Sequence, residues 1–97
     1  MTDTTIRTVI TGRVQGVGFR AFVEAQAARR GLNGWVRNRR DGSVEALFSG
    51  PQHVVDGMLA ACSEGPGSSR VDDVEVEPAE DDVPTSRVEG FKVLPTM

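Results

Sequence analysis

The spacing of apolar residues changes from a strand period to a helix period early in the chain. Residues 5–14 alternate between apolar or small side chains and their neighbours with a period of two, which predicts a β-strand. The apolar residues of segment 19–30 then recur every four positions, at Phe19, Val23 and Ala27. This is the spacing of one face of a helix. Gly31 followed by the apolar Leu32 is typical of a helix C-terminus.

The remainder of the chain contains three more predicted strands, a second helix and a short final strand. Segments 34–39 and 44–49 are predicted strands, and the Asp41-Gly42 pair between them is typical of a hairpin turn. Gly50-Pro51 ends the second of these strands, and proline suits the first turn of the helix that follows. The apolar face of that helix consists of Val55, Met58, Leu59 and Cys62, at helical spacing. After Gly65-Pro66-Gly67 the pattern predicts a strand at 71–77, an exposed loop at 78–87, and a short strand containing Phe91 and Val93.

This order of elements predicts the fold. Two interleaved strand–helix–strand units in one sheet form a ferredoxin-like α+β sandwich, βαββαβ, here with a short extra C-terminal strand. We expect both helices on one face of a mainly antiparallel sheet, with the other face open to water, as the alternation along the strands allows.

Length and composition are those of one small globular domain spanning residues 1–97. The chain has 97 residues, of which 38% are hydrophobic and 26% charged, so one modest core is expected. It has one cysteine, and therefore no intrachain disulfide. We see no signal peptide and no apolar run of about 20 residues, the length a membrane span needs. We therefore expect a cytoplasmic protein that has no membrane partner and acts as a monomer.

Charge is divided unevenly between the two halves of the chain. Residues 1–50 hold eight arginines and four acidic residues, a net charge of +4, whereas residues 51–97 hold three basic and ten acidic residues, a net charge of −7. A basic half attracts anions such as a phosphate ester or a nucleic acid. Charges that simply coat a surface would give the same distribution, so charge alone does not identify a ligand.

A glycine-rich turn at residues 15–18 joins the first strand to the first helix. Such a turn directs successive backbone N–H groups into a concave anion-binding surface beside the positive end of the helix. Gly16 and Gly18 permit the backbone conformations that this requires. Arg20 follows in the first helical turn, where its planar guanidinium can hold two phosphate oxygens. The segment predicts a site for a tetrahedral anion, and a tight turn beside a surface arginine is the alternative interpretation.

Two other motifs overlap this segment. Residues 16–21 fit the dinucleotide-binding pattern G-x-G-x-x-A between a strand and a helix, but a chain of 97 residues is too short for the two halves of that fold. Residues 18–23 are similar to an RNA-recognition signature, but the spacing is one residue too long and the segment is predicted to be helical. The acidic net charge of −3 also disfavours RNA, so we expect no nucleic-acid partner.

Two longer motifs reveal a family resemblance. Residues 12–20, GRVQGVGFR, resemble the first acylphosphatase signature, and residues 34–44, GWVRNRRDGSV, extending to Gly50, resemble the second. Later landmarks follow the family order, so the resemblance spans nearly the whole chain: Gly65-Pro66, Arg70-Val71 and Phe91. Acylphosphatases are small hydrolases that split carboxylic–phosphoric anhydrides.

The resemblance implies roles for two groups of residues. The loop that binds the substrate phosphoryl group, through backbone N–H groups and the Arg20 guanidinium, consists of Gln15, Gly16, Val17, Gly18, Phe19 and Arg20. Asn38 is implied to orient the attacking water, so Arg20 and Asn38 are the expected catalytic residues. The resemblance implies a small-molecule acyl phosphate as partner, no metal and no organic cofactor. A non-catalytic module of the same fold that binds phosphate or acyl phosphate is the alternative function.

The remaining candidate residues are expected to be structural. His53 is expected at the surface, Cys62 in the core, and Trp35 in packing or at the rim of the site. Three arginines of the second motif are expected to be solvated, where they would raise the local substrate concentration: Arg37, Arg39 and Arg40.

Overall fold

The computed structural model describes residues 3–79 and 90–96. Over these residues the chain forms seven elements: β1 (Asp3–Arg13), α1 (Phe19–Arg29), β2 (Asn33–Asn38), β3 (Val44–Pro51), α2 (Gln52–Glu64), β4 (Arg70–Pro78) and β5 (Phe91–Val93). Their order is the predicted one, and the predicted bounds differ from these by one or two residues at most. Within the described ranges, neither helix has the length and apolar character needed to cross a membrane.

The five strands form one sheet in the order β4-β1-β3-β2-β5. β1 lies between β3 and β4 and pairs antiparallel with both, β2 pairs antiparallel with β3, and β5 pairs parallel with β2. This interleaved topology confirms the ferredoxin-like sandwich, and the extra C-terminal strand lies at the edge beside β2.

Alternate residues of the strands build the core on one face of the sheet. Ile6 and Ile10 of β1, for example, belong to one apolar cluster with Val23 of α1 and Val55 of α2. Since residues two apart in a strand share a face, both helices cover the same face, as predicted. Segment 3–13 thus supplies the core on one side and leaves Arg7 on the other.

Helix α1 ends at the predicted glycine. Gly31 has a φ of 70°, and its N–H donates to the carbonyl of Ala28 at 3.1 Å while the N–H of Leu32 donates to Ala27 at 3.0 Å. This pair of bonds defines a Schellman motif. Leu32 is 2% exposed, so the same turn that ends the helix anchors the chain in the core before β2.

Two predicted details differ from the structure or fall partly outside it. Pro51 is the last residue of β3 and the N-cap of α2, rather than part of the first helical turn, because the strand pairing with β1 extends to this residue. Pro78 ends β4, and Ala79 is buried with its N–H donating to Thr5 at 3.1 Å. The remainder of the predicted 78–87 loop lies outside the described residues.

Candidate active site

The turn between β1 and α1 leaves the start of α1 without a side-chain cap. The N-cap is Gly18, and no side chain of the described residues caps the helix or places a carboxylate in its first turn. The first backbone N–H groups of a helix have no acceptor within the helix, and the helix dipole favours a negative charge there. The start of α1 is therefore open to an anionic ligand.

The two glycines of this turn are required by backbone conformation rather than by crowding. Gly16 has a φ of 75° and Gly18 a φ of 79°, in the left-handed region that costs other residues about 1–2 kcal/mol. A Cβ atom at either position would meet nothing within 4 Å. The space beside the turn is therefore open, and its backbone can be approached by a ligand.

A cavity of about 340 Å³ lies over this turn and the start of α1. Six of the seven residues predicted for the site line it: Gln15, Gly16, Gly18, Phe19, Arg20 and Asn38. The side chain of Val17 packs against the core cluster. Phe19 is only 1% exposed, so it presents mainly its backbone to a ligand. The structure thus brings the two sequence motifs together around one cavity.

The Arg20 guanidinium takes part in none of the ion pairs formed among residues 3–79 and 90–96. Those ion pairs use Arg7, Arg37 and Arg70. Arg20 is half-buried in the first turn of α1 and borders the cavity. Its charge is therefore available to an anion, which the guanidinium can bind with two parallel N–H donors.

Asn38 reaches the cavity from the end of β2. It pairs with Val44 of β3, which pairs in turn with Ile10 of β1; since directly paired residues share a face, Asn38 lies on the helix-covered side. Its Oδ1 atom is buried and accepts no hydrogen bond from any described residue. Leaving a buried acceptor unpaired costs about 1–3 kcal/mol. This oxygen is therefore a place where a water molecule or a ligand donor would bind.

Gln15 lines the cavity, but its side-chain amide is bonded elsewhere. Nε2 donates to the carbonyl oxygens of Arg39 at 2.7 Å and Ser43 at 2.9 Å. Both amide hydrogens are then used, so only the backbone N–H of Gln15 is left to bind a phosphoryl group. Of the phosphate-binding role implied for Gln15, only the part of its backbone N–H therefore remains. The side chain instead joins the turn to the β2–β3 hairpin.

The tip of that hairpin is held by its own hydrogen bonds. Asp41 Oδ1 accepts from the Ser43 hydroxyl at 2.6 Å and from the Ser43 N–H at 2.9 Å, and the Arg39 N–H donates to the Ser43 carbonyl at 2.9 Å. The hydroxyl bond, followed by the N–H bond, holds the pKa of the exposed Asp41 carboxyl below its usual value. The predicted Asp41-Gly42 hairpin is therefore confirmed, and its tip is restrained by hydrogen bonds among its own residues.

The tryptophan and the three arginines of the second motif do not line the cavity. Arg37 Nε lies 2.8 Å from Glu45 Oε1, and the Arg37 guanidinium stacks 4.7 Å from the centre of the Trp35 ring. The prediction that Arg37 is solvated is therefore wrong, because the strand register places the 5%-exposed Glu45 carboxylate opposite it. Trp35 packs beside the buried Leu47 on the face of the sheet opposite the helices, which is therefore less open to water than predicted, and it does not border the cavity. Arg39 and Arg40 line a separate hollow on that face.

The two other candidate side chains are in their predicted places. His53 is exposed at the start of α2. Cys62 is fully buried, and this burial raises the pKa of its thiol to about 12. Among the described residues, no group of three or more histidine, cysteine, aspartate or glutamate side chains is arranged to hold a metal ion.

Four residues that line the cavity were not among those expected from the sequence: Val14, Ala21, Glu24 and Val93. Glu24 lies one turn after Arg20 on α1, and this four-residue spacing was a usable signal. Val93 comes from β5, and it reaches the cavity because β5 pairs with β2 through Val36. No local sequence pattern indicates that β5 pairs with β2, so there was no reason in the sequence to expect Val93 in the cavity.

Comparisons with known proteins agree with this arrangement. The family model described as Acylphosphatase matches residues 6–93. An acylphosphatase from Bradyrhizobium diazoefficiens is 58% identical, with 100% of each chain covered. The crystal structure of acylphosphatase from Bacillus subtilis matches with a TM-score of 0.85 at 38% identity, covering 93% of this chain and 97% of that one.

A longer protein contains a similar unit. The crystal structure of full-length HypF in its phosphate- and nucleotide-bound form matches with a TM-score of 0.86 at 26% identity, covering 98% of this chain but 12% of that one. The family model and the full-length relative agree with the family that the two motifs indicate. The chain belongs to the acylphosphatase family.

Proposed function

We propose that this protein, as one acylphosphatase domain, hydrolyses acyl phosphates to a carboxylate and inorganic phosphate, using Arg20 and Asn38. Membership of the family supports the reaction. The observation that supports the residue roles is that one cavity holds two unpaired groups: an arginine outside the ion pairs of the described residues, and a buried amide oxygen without a partner. The first suits an anion and the second suits a water molecule.

The phosphoryl group binds at the start of α1. Backbone N–H groups of residues 15–20 and the Arg20 guanidinium donate to its non-bridging oxygens. The uncapped helix start and the open space beside Gly16 and Gly18 support this placement. Donors fixed in advance around the oxygens stabilise the charge of the transition state without having to reorganise during the reaction.

The attacking water binds to Asn38. The Oδ1 atom accepts a hydrogen bond from the water, which provides the partner that this buried oxygen lacks. Because β2 holds Asn38 and the turn holds the phosphoryl group, the water is positioned against phosphorus rather than having to diffuse there. Such positioning replaces a bimolecular encounter with a step inside one complex.

The bond changes are those of phosphoryl transfer to water. The water oxygen forms a bond to phosphorus while the bridging phosphorus–oxygen bond breaks, and its electron pair leaves with the carboxylate. The water proton passes to a phosphate oxygen or to solvent. A carboxylate is a weakly basic leaving group, and phosphoryl transfer proceeds through a loose transition state, so positioning and charge stabilisation carry most of the catalysis.

The reaction proposed here uses no metal ion. Arg20 and the backbone N–H groups supply the positive charge that metal ions supply in many phosphoryl-transfer enzymes. Among the described residues that line the cavity there is one carboxylate, Glu24, and no histidine or cysteine, so the lining offers few ligands for a metal ion.

We further propose that the protein acts as a monomer in the cytoplasm. An exposed edge strand invites pairing with another chain unless charges prevent it. The edge strand β4 is acidic along its length, with exposed Asp72, Asp73, Glu75 and Glu77. Size-exclusion chromatography with light scattering should give the mass of one chain, and a dimer mass at micromolar concentration would contradict this part of the proposal.

The proposed activity is tested with benzoyl phosphate. The purified protein should hydrolyse it at a rate that EDTA does not change, while p-nitrophenyl phosphate, a monoester with a more basic leaving group, should be hydrolysed far more slowly. Loss of activity in EDTA and recovery with Mg²⁺ would contradict the metal-free mechanism. Binding of inorganic phosphate without turnover of benzoyl phosphate would identify a non-catalytic phosphate-binding module instead.

A further inference from the structure

We infer that Gln15 is a positioning residue that sets the distance between the bound phosphoryl group and the water held by Asn38. The inference rests on the proposed function. Its basis is that the Gln15 side chain connects the two halves of the site through two short hydrogen bonds, to the carbonyls of Arg39 and Ser43.

The two acceptors lie on opposite sides of the hairpin. Arg39 directly follows Asn38 in the chain, and Ser43 directly precedes Val44, the residue that pairs with Asn38. One amide group therefore donates hydrogen bonds to both sides of the hairpin, next to Asn38. Without these two bonds the turn could shift relative to the hairpin, which would move the phosphoryl group and leave Asn38 where it is.

Within the described residues, these are the only hydrogen bonds that join the turn at 15–18 to the hairpin tip at 39–43. The space beside Gly16 and Gly18 is open, so packing does not hold that part of the turn against the hairpin. Strand pairing in the sheet fixes where Asn38 lies, and the Gln15 amide then fixes the distance across the cavity between the phosphate-binding turn and Asn38.

The hairpin tip does not depend on Gln15 for its own structure. The Arg39 carbonyl also accepts from the Gly42 N–H at 3.1 Å, and the Ser43 carbonyl also accepts from the Arg39 N–H at 2.9 Å. Removing the Gln15 amide therefore leaves neither carbonyl without a partner. We expect Gln15 variants to fold, with the loss appearing in catalysis rather than in folding.

The test is Gln15→Met, which keeps an unbranched side chain of similar length and removes both donors. Misplacement by about 1 Å can cost on the order of 10²-fold in rate, so we expect kcat to fall by about 10- to 100-fold. The inhibition constant for inorganic phosphate should stay within about threefold, because the phosphate donors of the turn are unchanged. Gln15→Leu also lacks the donors, adds no charge and should lose kcat in the same way, so the result does not depend on one variant.

A double-mutant cycle separates positioning from a general structural role. In an Asn38→Ala background, Gln15→Met should lower kcat by less than about threefold, because the distance it sets no longer matters. The matched control is Gln52→Met. Gln52 bonds to Thr4 and Asp56 at the opposite end of the sheet, and its variant should keep wild-type kcat.

Three kinetic results would overturn the inference: normal kcat in both Gln15 variants, a phosphate inhibition constant that rises in step with the loss of kcat, or an undiminished loss in the Asn38→Ala background. A readout that does not depend on activity is the NMR amide spectrum of residues 39–43, which should change in Gln15→Met and not in Gln52→Met. An inactive wild-type protein would contradict the proposed function, whereas an unchanged hairpin spectrum would contradict the role of Gln15 by itself.

Discussion

Replacing Asn38 with alanine should abolish most of the activity without destabilising the fold. Asn38 Oδ1 is buried and has no partner among the described residues, so truncation breaks no hydrogen bond between that oxygen and any of them. In solution a water satisfies this oxygen, so the substitution releases that water and leaves no buried group unpaired. The main cost is the lost packing of the half-buried side chain, and we expect the free energy of unfolding of Asn38→Ala to lie within about 1 kcal/mol of the wild-type value.

The same substitution removes the group that holds the water. Loss of one positioned polar group typically lowers turnover by roughly 10² to 10⁴, which corresponds to about 2.7–5.5 kcal/mol in the activation free energy. Phosphate binding should change by less than about threefold, since the turn and Arg20 bind it. Initial rates with benzoyl phosphate, competitive inhibition by phosphate, and urea unfolding followed by Trp35 fluorescence measure the three quantities.

A second asparagine in the same strand provides the matched control. Asn33 Oδ1 accepts a hydrogen bond from the Gly90 N–H at 2.9 Å, far from the cavity. Asn33→Ala should therefore lose about 1 kcal/mol of stability and keep its turnover, the opposite result to Asn38→Ala. Normal turnover in Asn38→Ala, or a larger loss of stability than in Asn33→Ala, would refute the role assigned to the unpaired oxygen.

Three further substitutions test other parts of the account. Arg20→Lys keeps the charge but loses the planar pair of donors, so it should raise the phosphate inhibition constant and lower turnover about 10²-fold or more. The control is Arg29→Lys, at an exposed position of the same helix, which should change neither quantity. Equal behaviour of the two variants would exclude Arg20 from the site. Cys62→Ala should keep turnover and lose roughly 1 kcal/mol of stability, because the thiol is buried with its pKa raised to about 12, and a folded but inactive variant would show that the thiol takes part. Glu24→Gln removes the one carboxylate found among the described residues that line the active-site cavity. It should therefore raise kcat/KM more for acyl phosphates with a second anionic group than for benzoyl phosphate, and equal changes would place the acyl group away from Glu24.

The order of elements and the ends of α1 follow from local patterns in the sequence. Period-two and period-four spacing is a property of short segments, and the Gly31-Leu32 pair specifies a Schellman motif whose bonds span only a few residues. The two motifs likewise placed Arg20 and Asn38 in one site. These features depend on contacts that are close in the chain, or on patterns long enough to identify a family.

Contacts set by strand register could not be predicted in the same way. Arg37 meets Glu45 because β2 and β3 pair in one particular register, and the motif alone gave no reason to expect an ion pair there. The bonds from Gln15 to the hairpin span 24 and 28 residues, and the unpaired state of Asn38 Oδ1 depends on everything packed around it. The residues proposed as catalytic could be named from the sequence, but the contacts that position them required the structure.

In the proposed mechanism, water held by Asn38 attacks phosphorus while the turn and Arg20 hold the phosphoryl group. The decisive experiment is hydrolysis of benzoyl phosphate in ¹⁸O-labelled water, followed by mass spectrometry of both products. The label should appear in inorganic phosphate, and the benzoate should be unlabelled. Label in the benzoate would mean that water attacks the carbonyl carbon, and would contradict the mechanism proposed for this site.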